Sequence, residues 1–287
     1  VALIACSEKE ESLTRLRLGV LPVLDTLPLQ VAVDEGHFEE QGLQVELVTF
    51  ASAHERDVAV QSGELDGYFG DMLIALLLIQ NQVDMRVATI AYATTQDQRM
   101  FGLVTAPQVE PKPGMTVGIS QSTIIEYLLD RMQDNQDIRN LSLDRVEVRK
   151  IPIRLQMLLS GQLDAAVLPE PLLSLAEQKG GRILATDSNL DLPLTVLCLS
   201  KPRMEVVKSF LEAYDQSVKS INADPDGYRE LMATSIRLPE ELLATFPVYR
   251  YPKSRVPTEQ DVWRMQQWML TQGLLEKMIP YEEIVFQ

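Results

Sequence analysis

At 287 residues, 46% hydrophobic and 23% charged, the chain has the length for two lobes of domain size and the composition of a globular protein that needs no disulfide support. A net charge of -15 excludes a clustered Lys/Arg surface for nucleic acid; the densest basic stretch, Arg145 to Arg154, is broken by Val, Glu and Ile. No apolar run approaches the ~20 residues of a membrane-spanning helix, residues 72–79 being too short.

The first residues are an apolar run ending in Cys6, and the charged stretch 7–12 follows at once. Leu3-Ile4-Ala5-Cys6 resembles the lipobox of bacterial lipoproteins. That resemblance implies cleavage before Cys6, a lipid on its sulfur and a polar tether after it. An apolar first strand is the alternative reading. The second cysteine, Cys198, sits in an apolar run with strand character and reads as a buried, inert thiol.

Further along, residues 16–21 predict a strand, 22–26 a loop and 28–35 a helix. A strand at 44–50, a loop at 51–54 and helical spacing through 58–61 follow. Next comes Ser62-Gly63-Glu64-Leu65-Asp66, then a short apolar strand at 67–70, an acidic turn at Asp71 and a helix at 72–80. After a strand at 86–91 the same order returns. Strand 115–119, loop 120–123, helix 124–133, strand 145–151 and loop 152–154 precede helical spacing through 155–159. Ser160-Gly161-Gln162-Leu163-Asp164 then repeats the earlier five residues, before strand 165–168, acidic Glu170 and helix 172–179. In both copies the Gly supplies a left-handed helix end.

Two runs of alternating strands and helices predict an α/β fold: two similar lobes of doubly wound, mostly parallel sheet with right-handed crossovers. A strand at 192–200 is followed by helices at 203–222, 225–234, 239–244 and 258–272, a tail that returns to pack on the first lobe. The expected division is residues 1–14 as lipobox remnant and tether, 15–103 with 198–287 as lobe one, and 104–197 as lobe two. The expected crossings, 102–104 and 196–198, form a two-segment hinge.

With those elements placed, the chain resembles type II periplasmic solute-binding proteins of ABC importers, in the group that includes nitrate-, sulfonate-, taurine- and thiamine-precursor-binding proteins. The resemblance lies in Leu27 to Ala32, Glu35-Gly36-His37-Phe38, Gly42-Leu43-Gln44-Val45-Glu46, Gly63-Glu64-Leu65-Asp66-Gly67, Val117-Gly118-Ile119-Ser120 and Asp164 through Pro171. It implies a receptor that delivers a small-molecule solute to a permease and its ATPase subunit, a membrane tie through lipid on Cys6, and a monomer with no cofactor. One enzyme shares the fold class, the yeast-type pyrimidine synthase, whose family uses a cysteine-rich segment and histidines around iron. This sequence has no such segment, and His37 and His54 stand apart without a Cys partner. A Gly-x-Ser-x-Gly elbow, a phosphate-binding Gly-rich loop and paired His at helical spacing are absent too.

Ligands of open parallel sheets sit beyond the carboxyl ends of strands. That rule selects the loops 23–26, 51–54, 69–71, 120–123, 152–154 and 169–170, with 92–96 as a floor. The candidate contacts are Asp25, Thr26, Ser52, His54, Phe69, Asp71, Tyr92, Ser120, Ser122, Thr123, Arg154 and Glu170. Several have a second reading. Asp25, Thr26, Ser120 and Ser122 also suit helix caps. Phe69 also suits the core, and Arg154 an ion pair with Glu170 or Asp71. Asp71 and Glu170 resemble a catalytic carboxylate pair, but their equivalent places in the repeat favour turn residues and ligand contacts. Three acids against one base point to a neutral-polar or cationic nitrogen heterocycle, such as thiamine or its pyrimidine precursor, with sulfonate, taurine or nitrate as the alternative. A receptor with no transporter, acting as sensor or scaffold, stays open.

Overall fold

The computed structural model describes residues 13–135, 138–200, 204–247 and 249–286. Cys6 and its lipobox lie outside them. The first sheet holds five strands, β1 (Thr14–Val20), β2 (Leu43–Thr49), β3 (Gly67–Asp71), β4 (Arg86–Ala93) and β10 (Pro193–Leu199), in the order β2-β1-β3-β10-β4. The second holds β5 (Phe101–Thr105), β6 (Met115–Ile119), β7 (Leu143–Glu147), β8 (Ala165–Pro169) and β9 (Ile183–Thr186), in the order β7-β6-β8-β5-β9. Helices cover them: α1 (Leu27–Asp34), α2 (His37–Glu40), α3 (Ala53–Gln61), α4 (Met72–Gln80), α5 (Ile124–Asn135), α6 (Ile151–Leu159) and α7 (Leu172–Gln178). The tail supplies α8 (Met204–Ala223), α9 (Arg229–Ser235), α10 (Glu259–Thr271) and α11 (Tyr281–Ile284).

Each sheet is mixed. β1 runs parallel to β2 and β3, and β6 parallel to β7 and β8, as alternating strand–helix units require. One strand in each sheet runs the other way: β10 against β3 and β4, and β5 against β8 and β9. These two strands correct the expected crossings. Residues 102–104 lie inside β5 and 196–198 inside β10, so the chain passes between the sheets at 94–100 and 187–192. The reason is burial. Every residue of β5 and of β10 is buried, which suits a strand flanked on both sides and not a connection in water.

Asp187 clasps the crossing segments. Its Oδ1 accepts the backbone N–H groups of Met100 (2.9 Å) and Phe101 (3.0 Å), and its Oδ2 accepts the Tyr92 hydroxyl at 3.0 Å. The tail reinforces the junction, with Arg250 N–H donating to Gln98 Oε1 and the Tyr249 hydroxyl donating to the Arg99 carbonyl. Phe38 and Phe210, stacked at 5.2 Å, join α2 to α8.

The five-residue repeat has a structural meaning. Asp66 Oδ2 accepts Arg17 N–H at 2.8 Å, and Asp164 Oδ2 accepts Thr116 N–H at 2.9 Å, so each Asp ties its turn to the neighbouring strand. An arginine buried in the preceding helix completes each copy. Arg56 donates to the Phe69 carbonyl at 2.7 Å, and Arg154 to the Val167 carbonyl at 2.8 Å. Both guanidinium stems lie against glycines. A Cβ on Gly19 would meet Leu65 at 2.6 Å and Arg56 at 3.0 Å; one on Gly118 would meet Leu163 at 2.6 Å and Arg154 at 3.0 Å.

Arg154 therefore reinforces the fold and has neither of its expected partners, Glu170 or Asp71. Its Nε and Nη2 donate to the Val148 carbonyl (3.0 and 2.7 Å), and its Nη2 also donates to Ser120 Oγ. Burial pulls its guanidinium down to about 10, which leaves it charged at neutral pH. Replacing it by Ala strands two buried carbonyls, so Arg154→Ala is expected to cost ~3 kcal/mol or more. The check is a fall in the urea midpoint, with Arg56→Ala falling similarly. An unchanged midpoint would remove the guanidiniums from the scaffold.

Candidate functional site

Residues from all six segments selected by the strand-end rule line a single cavity of about 170 Å³ between the two sheets, although 152–154, expected as a loop, lies in the first turn of α6 and 69–71 ends β3. That volume is comparable with the ~150 Å³ that admits a benzene ring. The first sheet contributes Leu21 to Val23 and Asp25 after β1, Ala51 to Ala53 after β2, and Phe69 and Asp71 at the end of β3. Ser120 and Thr123 to Ile125 after β6, Arg149, Ile151 and Pro152 after β7, and Pro169 to Leu172 at and after the end of β8 face them. Thr195, Phe101 and Arg237 complete the lining. Most of this wall is apolar, with a few polar groups set into it, the usual make-up of a small-molecule site.

Of the candidate residues, Asp25, Ser52, Phe69, Asp71, Ser120, Thr123 and Glu170 line the cavity. Thr26, His54, Tyr92, Ser122 and Arg154 do not. Thr26 donates to the Val23 carbonyl at 2.7 Å and shapes the loop. His54 is exposed on α3. Tyr92 is spent on Asp187 at the crossing. Ser122 adopts φ 56° and gives its backbone N–H to Glu126 at 2.7 Å. Ser52 caps α3 by accepting Glu55 N–H at 3.2 Å, while Thr123 donates to the Ser120 carbonyl at 2.8 Å and accepts Ile125 N–H at 3.2 Å.

The three acids differ in what neutralises them. Glu170 accepts Arg99 Nε at 2.9 Å and Ser174 N–H at 2.9 Å, so both its oxygens are engaged. Asp71 sits on β3 and reaches across the cavity, where its Oδ2 accepts Ile124 N–H, the first amide of α5, at 3.1 Å. Asp25 Oδ2 accepts the Thr195 hydroxyl at 2.7 Å, and its carboxyl also meets its own backbone N–H. Among the described residues no Lys or Arg forms an ion pair with Asp25 or Asp71. Burial is the largest influence on both carboxyls. It pushes Asp25 up to about 7 against the Thr195 hydrogen bond, and Asp71 up to about 6 against the field of Arg56.

Thr195, Arg149, Arg237 and Arg99 escaped the sequence reading. Thr195 had a signal, since it is the polar interruption of the apolar run 194–199. Arg99 had none, because Glu170 is its partner only through the fold.

Residues 9–223 match the NMT1-like family, and the chain belongs to it. No curated protein matches the chain. Its fold is similar to that of the ligand-binding component of an ABC-type import system from Staphylococcus aureus, solved with zinc bound, at TM-score 0.78 and 15% identity, covering 95% of this chain and 96% of that one. It is also similar to the periplasmic aliphatic sulphonate binding protein SsuA from Escherichia coli, at TM-score 0.76 and 15% identity over 95% and 92% of the two chains. The periplasmic nitrate-binding protein NrtA from Synechocystis gives TM-score 0.69 and 13% identity over 92% and 83%. The fold is that of periplasmic solute-binding proteins of ABC importers.

The Asp25 geometry fixes a pH dependence. Its folded pKa of about 7 lies above the ~3.9 of an unfolded aspartate, so the folded protein holds the proton more tightly. Stability from this group is full below about pH 4 and declines by up to ~1.4 kcal/mol per pH unit until about pH 7. Asp25→Asn keeps an acceptor for Thr195 and removes the titration. Calorimetric melting should show the variant more stable than the parent at pH 8 and no more stable at pH 4. An equal difference at both values would contradict it.

Proposed function

We propose that the protein is the extracytoplasmic receptor of an ABC importer. It captures a small nitrogen heterocycle between its two lobes and hands it to a permease driven by an ATPase subunit. The observation that carries the ligand choice is a pair of acids on the wall of a mostly apolar cavity, Asp25 buried and Asp71 half-buried, neither in an ion pair among the described residues. A buried carboxylate without a cation favours a ligand that brings N–H donors or positive charge. A flat ring suits the apolar walls, which include Phe69 and Phe101. The site volume favours a ring of the size of the aminopyrimidine precursor over whole thiamine.

Nitrate and sulfonate are the ligands in the names of two similar structures. For this chain they are the weaker reading. The amide at the start of α5 is the ready anion site of the second lobe, and Asp71 already occupies it.

In this reading the lobes close about segments 94–100 and 187–192, and closure is driven by contacts that exist only when both lobes hold the ligand. A lipid on Cys6 anchors a monomer to the membrane, as the Leu3-Ile4-Ala5-Cys6 sequence suggests.

Native mass spectrometry of gently purified protein lacking residues 1–6, with identification of any released molecule, names the ligand class directly. A pyrimidine-like mass is expected. A released sulfonate would keep the receptor and overturn the heterocycle. Separately, the double variant Asp25→Asn/Asp71→Asn should weaken binding of 4-amino-5-hydroxymethyl-2-methylpyrimidine about tenfold or more in titration calorimetry. Unchanged affinity would remove the carboxylates from recognition.

A further inference from the structure

Arg237 is the most unusual residue on the cavity wall. It follows the C-cap of α9, Ile236, and takes φ 55°, the left-handed conformation that helix ends usually give to glycine. Among the described residues other than glycine that adopt positive φ, it alone lines the cavity. Its neighbours leave the backbone no freedom. Ile236 and Leu238 are buried, and the Met232 carbonyl accepts both their N–H groups, at 3.3 and 3.2 Å. The chain thus pays a conformational cost to present an exposed arginine at a cavity that otherwise belongs to the two sheets.

The guanidinium has no hydrogen bond or ion pair among the described residues. The other cation of the lining, Arg149, gives its Nε to Glu147 at 2.7 Å. Nothing in the fold requires Arg237 to be charged, while glycine or asparagine would relieve its backbone. A residue that fits its conformation poorly and has no protein partner is explained by a partner that comes and goes.

We propose that Arg237 is a specificity-determining residue that binds an oxyanion substituent on the ligand, at the opposite chemical pole from Asp25. The ligand is then dipolar: N–H donors meet Asp25 and Asp71, and a phosphate, carboxylate or sulfonate meets Arg237. A planar guanidinium suits such a group by offering paired donors. This deepens the receptor reading above and rests on it.

The test uses the full chain and its Arg237→Gly and Arg237→Lys variants at fixed ionic strength. Glycine removes the charge and suits the backbone, so Arg237→Gly should melt no lower than the parent. Calorimetric titration compares 4-amino-5-hydroxymethyl-2-methylpyrimidine with its phosphate monoester. The parent should bind the ester about tenfold more tightly, Arg237→Gly should bind the two alike, and Arg237→Lys should keep part of the preference. An equal affinity in the parent, or a preference that survives in Arg237→Gly, overturns the proposal. Inorganic phosphate gives a readout that needs no ring. It should raise the melting temperature of the parent more than that of Arg237→Gly, and equal shifts overturn the proposal. If the parent binds neither pyrimidine yet responds to phosphate through Arg237, the heterocycle is lost and the anion contact stands.

Discussion

The carboxylate of Asp71, held on one sheet, accepts the first amide of the helix that follows the other sheet's binding loop. That hydrogen bond sets the chemistry of everything around it. A helix start is the cheapest anion site a protein can offer, because its amides lack partners and the helix dipole favours negative charge. Here the chain fills it with its own acid. The cavity is left without the feature that would hold a free oxyanion at its centre, and with a half-buried carboxyl on its wall. Asp25, which accepts the Thr195 hydroxyl, adds a second. Glu170 adds none, since Arg99 and Ser174 satisfy it. The balance of the cleft follows from which acids the fold neutralises, and the sequence count of three acids and one base misassigned both. Glu170 is neutralised by Arg99, a base outside the loops, and the base counted inside them, Arg154, serves the scaffold.

That scaffold is the same device used twice. In each lobe a buried arginine from the helix before the repeat donates to the strand after it, and an aspartate ties the turn to the neighbouring strand. Buried guanidiniums are tolerated because carbonyls and, for Arg56, Asp57 accept their protons. With the strand ends fixed in this way, the loops beyond them carry recognition without having to carry stability. The antiparallel strands β5 and β10 bring the chain back between the sheets and place Thr195 and Phe101 on the cavity wall.

Much of this was legible in the sequence. The elements of both repeats appeared in the right order, and helix 72–80 matches α4 and strand 115–119 matches β6 to the residue. Residues from all six strand-end segments line the cavity, because the rule that selects them depends only on strand direction and order. What sequence could not supply was the partner of each polar group. Arg154 and Arg56 stand in equivalent places, yet an arginine near a cleft looks the same whether it serves carbonyls or a ligand. Tyr92 sits one strand from the site and is consumed by Asp187, a residue far from it in sequence. The crossings were misplaced because the apolar runs 102–104 and 196–198 were read as connections, whereas the chain crosses in the more polar segments 94–100 and 187–192. Arg237 comes from the tail, outside the repeat that guided the search.

In the proposed receptor, two protonatable carboxyls inside the cavity meet a nitrogen-bearing ligand. Titrating the pyrimidine near pH 6.5 in two buffers of different ionisation enthalpy probes that contact. Burial raises Asp25 to about 7 and Asp71 to about 6, and a ligand that brings N–H donors or positive charge lowers both, so binding should release protons and the observed enthalpy should depend on the buffer. A binding enthalpy that is the same in both buffers would mean the carboxyls do not respond to the ligand, and would contradict the account.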